Sequence, residues 1–137
     1  MKSLITSLFK HPLKIMVSLL ALYFGSYSFA QADYMGSYRA FLSERDHFNS
    51  SGKRLRNPAA IIRQDRANFH RFGRRDAGDE WDEYLHSTNN RAIVERWLNA
   101  GNTPSWVKRR IVNGTPYINV HFYGDGYSVY SISVEVE

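Results

Sequence analysis

The sequence predicts an α+β fold: four or five short helices, then a C-terminal β-hairpin packed on them, with a secretory signal peptide in front. Three observations carry this. Apolar residues recur at helical spacing between residues 34 and 112, with Pro and Gly as punctuation. From Tyr117 onward the apolar period falls to two. Residues 1–14 are basic and free of acids, and Ile15 to Ala30 is an almost unbroken apolar run ending in Ala30-Gln31-Ala32.

A basic start, an apolar centre and an A-x-A end make a signal peptide over residues 1–32, with cleavage expected after Ala32 and Ala30 as the second choice. The second half of the apolar run holds Gly25, Ser26, Ser28 and Gln31, whereas a spanning helix needs about 20 predominantly apolar residues. No stable membrane anchor is then expected after cleavage, and the mature chain is exported, periplasmic or secreted. The remaining residues, 33–137, make one small domain, helical over 34–112 with the hairpin over 116–136. The chain has no Cys, which excludes a disulfide framework, a Cys-ligated metal and a thiol nucleophile.

The first helix is predicted over 34–48, where Tyr34, Tyr38, Phe41, Leu42 and Phe48 share a face, and Asn49-Ser50-Ser51-Gly52 ends it. The second opens on Asn57 as N-cap with Pro58 in its first turn and stops at Gly73. Its apolar face is Ile61, Ile62, Phe69 and Phe72. A short helix is predicted over 80–86 with Trp81, Tyr84 and Leu85 inward. Ser87 or Thr88 caps the next, which runs to Ala100 with Gly101 as its stop. Thr103-Pro104 starts a last helix, to Val112.

In the hairpin, a three-residue loop from Gly124 to Gly126 keeps one face apolar. It pairs Tyr123 with Tyr127, Val120 with Tyr130 and Ile118 with Ile132, and it places positive φ at Gly126. The other face carries Tyr117, Asn119, His121, Tyr123 and Tyr127. If uncovered, that face or an open strand edge offers a recognition surface.

Charge is distributed unevenly. The whole chain is +5, but residues 1–32 hold three Lys and no acid, so the mature chain is +2. Within it, residues 39–75 sum to +7 and residues 76–83 to −5. Arg63, Arg66, His70, Arg71, Arg74 and Arg75 can form an anion-binding patch, of which Arg63, Arg66, His70 and Arg74 are the principal candidates. Alternatively the acidic block folds back and neutralises them. Arg45 and Asp65 each fall on an apolar helix face and need partners if buried. They are expected to meet as a structural ion pair, or Asp65 to take Arg75 or Arg91.

Two Glu-x-x-His motifs, at Glu44–His47 and Glu83–His86, face away from the apolar stripes, so no buried metal site is predicted; Asp79, Glu83 and His86 are a surface metal candidate. No catalytic residues are assigned: the chain lacks G-x-S-x-G, H-E-x-x-H and any phosphate-binding Gly loop. No cofactor is implied. The composition and patterning favour a small exported, non-catalytic binding or accessory protein of the cell envelope. Its partner is an envelope protein or an anionic polymer such as lipopolysaccharide; the mature +2 disfavours nucleic acid. The competing reading is a small hydrolase-like or metal-dependent enzyme using His and Asp/Glu.

Overall fold

The fold is built on a three-stranded antiparallel sheet in the order β1-β2-β3, with β1 Asp33–Phe41, β2 Tyr117–Gly124 and β3 Val129–Val136. The structure, a computed structural model, describes residues 31–137. The signal-peptide expectation falls on residues 1–32 and so lies, but for its last two positions, outside the described residues. Between β1 and β2 come a 3-10 helix at Glu44–His47 and four α-helices: α1 Pro58–His70, α2 Thr88–Ala92, α3 Val94–Ala100 and α4 Ser105–Asn113. The α+β class and the C-terminal hairpin are therefore as predicted.

Alternation along the strands decides the core. Tyr38 and Ala40 of β1, Ile118, Val120 and Phe122 of β2, and Ile132 and Val134 of β3 are all buried on one face. The helices cover that face with Ile61, Ile62, Val94, Trp97, Leu98, Val107 and Ile111.

The helix expected over 34–48 is instead β1 followed by the 3-10 turn. Tyr38, Ala40 and Leu42 point inward at a period of two, whereas Tyr34 and Phe41, which a helix would set beside Tyr38, stand on the outer face against Tyr123 and Tyr117. Gly36 settles the choice. It costs a helix interior about 1 kcal/mol, but here it sits at φ 138° where the β1–β2 register shifts, a bulge that only glycine enters without strain.

The helix from Asn57 forms as predicted, the Asn57 side chain accepting from Ala59 N at 2.8 Å. Ser87 also caps as predicted, but the helix to Ala100 is interrupted at Ile93. The helix expected over 80–86 does not form. Asp82 Oδ1 accepts from Tyr84 N and Leu85 N, and this local turn takes the place of helical bonding.

The hairpin register differs from the prediction. Ile118 pairs with Val136, Val120 with Val134 and Phe122 with Ile132. Asp125 causes the shift: its Oδ1 accepts from Tyr127 N at 2.9 Å and Ser128 N at 2.7 Å, and its other oxygen takes the Tyr130 hydroxyl. That closes a longer loop, still with positive φ at Gly126, and leaves Tyr130 exposed rather than inward. The apolar face survives because the slip is an even number of residues.

Both sheet edges are covered over part of their length. Asp79 Oδ1 accepts from Phe41 N at 2.9 Å, Glu80 Oε2 from Arg39 N at 2.9 Å, and Glu80 N donates to Arg39 O. On β3, Thr103 Oγ1 accepts from Val134 N at 2.9 Å. Gly101 lies so close to Ile132 that a Cβ there would collide with its carbonyl.

Candidate functional site

The basic stretch divides into a buried half and an exposed half. On α1, Asp65 follows Ile61 by four residues and Arg66 follows Ile62 by four, so both continue the apolar columns inward. The Arg66 guanidinium is fully buried, 4.3 Å from the Tyr38 ring and 4.5 Å from that of Phe69. Its Nε donates to Asp65 Oδ2 at 2.7 Å, and its Nη1 to Glu80 O at 2.9 Å and Asp82 Oδ2 at 3.3 Å. His70 Nε2 donates to the same Asp82 oxygen at 2.7 Å, with its side chain 3% exposed. Burial pushes the Asp65 carboxyl up to about 7, with the Arg66 charge opposing it. Burial likewise holds the His70 imidazole below its ordinary value, against the pull of Asp82.

The expected Arg45–Asp65 pair does not exist. Asp65 takes Arg66, while Arg45 is exposed and binds Asp76 Oδ1 at 2.8 Å. The alternatives fail too. Arg91 donates to the carbonyls of Leu85 and His86, both at 2.8 Å, and Arg75 lies on the Phe69 ring.

Arg66 and His70 are therefore structural and leave the predicted patch. Arg63 and Arg74 remain, joined by Arg71 and Arg75. None of these four makes an ion pair among the described residues. The acidic block does fold back, as the alternative reading expected, but of the predicted patch it meets only Arg66 and His70. Asp76 holds Arg45, Asp79 and Glu80 hold the β1 backbone, and Asp82 holds Arg66 and His70. Two aromatics expected inside are exposed instead, and one of them stands beside two of these arginines. Phe72 is 46% exposed, its ring 5.2 Å from the Arg71 guanidinium and 5.6 Å from that of Arg74. Trp81 is 62% exposed, stacked on His86 and beside His70.

The outer sheet face divides in a similar way. At one end Arg39 binds Glu137 through two bonds of 2.8 and 2.7 Å and lies 3.9 Å from the Tyr117 ring centroid. The Tyr117 hydroxyl donates to Ala77 O, so this candidate is closed in by the acidic segment. At the other end His121 and Tyr123 are only partly covered and meet Tyr34, whose ring lies 6.2 and 6.0 Å from theirs.

The surface metal candidate is not assembled. Asp79 is bound to backbone N–H groups, Glu83 is solvent-exposed, and His86 stacks on Trp81. Among the described residues no cluster of three His, Asp or Glu could hold a metal ion. His47 is buried, its Nδ1 2.8 Å from Ser43 O and its Nε2 2.8 Å from Ile111 O, tying the 3-10 turn to α4. Comparison of the chain with protein-family models, with curated proteins and with solved structures gives no match.

Proposed function

We propose that the chain is a small exported binding protein that engages an anionic polysaccharide of the cell envelope through an arginine–aromatic surface at the C-terminal end of α1. The observation that carries this reading is the set Arg63, Arg71, Arg74 and Arg75. These arginines are exposed and have no ion-pair partner among the described residues, although residues 76–83 bring five acids directly after Arg75. Arginines without a carboxylate partner among the described residues, two of them beside the exposed Phe72, suit multivalent contact with sulfate, phosphate or carboxylate groups. Export rests on the signal-peptide pattern of residues 1–32. The sugar-bearing polymer is preferred to nucleic acid because the mature charge is only +2.

The test is retention of the purified protein on immobilised heparin and on lipopolysaccharide vesicles. Wild type is expected to bind and to elute with salt. Reversing charge at Arg71 and Arg75 together should abolish retention. Reversing it at Arg109 and Arg110, exposed on α4 and equal in net charge, should leave most of it. Equal loss in both variants would reduce the effect to net charge and defeat the proposal.

A further inference from the structure

Arg74 lines a groove of about 420 Å³, within the range of about 300–1,000 Å³ typical of small-ligand sites. One wall is the loop from Phe48 to Arg54 and the other is the C-terminal half of α1 with the turn that follows it. Resting on the polysaccharide reading above, we infer that this groove seats a single hexose ring carrying one carboxylate or phosphate.

Its lining supplies the three kinds of contact such a ring needs. Arg45 and Arg74 provide guanidinium groups for the anion; Arg74 has no carboxylate partner among the described residues, and Arg45 shares only Nη2 with Asp76. Phe48 and Phe72 provide apolar surface for the C–H face of a pyranose. Gln64 and Asn68 provide amides for its hydroxyls. Gln64 Nε2 donates to Asn68 Oδ1 at 3.3 Å and Asn68 Nδ2 to Asp46 Oδ1 at 2.8 Å, which leaves each amide nitrogen a second hydrogen.

The groove is also held in shape. Asp46 Oδ2 is bonded by Ser43 N and Oγ, both at 2.9 Å, which anchors the floor through the buried Asn68. Asn49 Oδ1 accepts from Ser51 N, Ser51 Oγ and Lys53 N, and Asn49 N donates to Lys53 O at 2.9 Å, so the loop wall is tied from within. A wall fixed before binding loses little entropy when the ligand arrives.

The experiment titrates the purified protein with glucuronate, glucose 6-phosphate, glucose, inorganic phosphate and AMP, following backbone amide NMR shifts of residues 48–54 and 72–74. Saturable shifts are expected with one or both sugar acids; which of them separates carboxylate from phosphate as the natural anion. Glucose and inorganic phosphate should each bind at least about tenfold more weakly, the factor one lost charge-assisted or stacking contact carries. Gln64→Glu, which places an acid in the wall, and Phe72→Ala, at an exposed position, should each weaken the sugar acid by at least about fivefold with the melting temperature kept. The inference is overturned by equal affinity for glucose or phosphate, by tighter binding of AMP, by indifference to both substitutions, or by no saturable shift. Heparin retention persisting without sugar-acid binding would remove the groove and keep the proposed function; loss of both would remove both.

Discussion

Arg66 and Arg71 stand five residues apart on and just beyond the same helix and have opposite fates. Arg66 enters the core with Asp65, Asp82 and the Glu80 carbonyl around it. Arg71 lies at the surface against the Phe72 ring with no acid to hold it among the described residues. The difference comes from the columns of α1: residues four after Ile61 and Ile62 turn inward, and residues past His70 do not. A run of arginines in one sequence thus divides in two, one part inside the core and one part left at the surface. A burial-blind charge count cannot tell them apart.

That comparison can be broken most directly at Asp65. Asp65→Ala leaves the Arg66 guanidinium buried without its nearest carboxylate and should destabilise the domain by about 3–5 kcal/mol. Urea denaturation measures it, and a midpoint unchanged from wild type would show that the buried half is not structural. Asp82→Asn keeps the shape and the turn to Tyr84 and Leu85 but removes the charge facing Arg66 and His70. A loss of about 1.5–3 kcal/mol is expected in the same measurement.

A smaller effect sharpens the contrast through pH. Burial makes His70 harder to protonate in the folded protein than in the unfolded chain, so the unfolded chain takes up the proton first. The contribution of His70 is therefore full above about pH 6.5 and is lost as pH falls below it. The difference in stability between wild type and His70→Gln should shrink over that range, isolating this group from the opposing slope of Asp65. At the exposed end, Arg71→Ala and Arg75→Ala should each shift stability by no more than about 0.5 kcal/mol. A larger loss in thermal denaturation would place these arginines with Arg66.

Much of the fold is legible in the sequence because local chemistry speaks for it. Asn57-Pro58 and Ser87 announce their helices, and the alternation from Ile118 to Val136 announces the hairpin. Three features need tertiary knowledge or a closer count. The spacing of Tyr34, Tyr38 and Phe41 imitates a helix although β1 splits them between its two faces, and only Gly36, a costly helix residue but an apt bulge, hints at β1. The hairpin register turns on Asp125 capping its own loop. The destination of each acid in 76–83 depends on which chain segment passes nearby, and sequence distance gives no sign of that. Of the residues read as a patch, Arg63 and Arg74 are exposed. Arg66 could have been moved inward by its spacing from Ile62, whereas the exposure of Phe72 and Trp81 carries no sequence signal.

The covering of the sheet edges has a consequence for how this protein behaves in a crowded solution. A bare strand edge is a template on which like strands stack, the first step toward fibrils. Here Asp79 and Glu80 occupy the donors of Arg39 and Phe41, Thr103 occupies that of Val134, and Gly101 presses backbone against Ile132. An arriving strand meets acidic side chains and close-packed main chain where it would need open hydrogen bonds. Asp79 and Glu80, the acids that cap the β1 edge, are also acids that pair with none of the exposed arginines of the 63–75 stretch among the described residues.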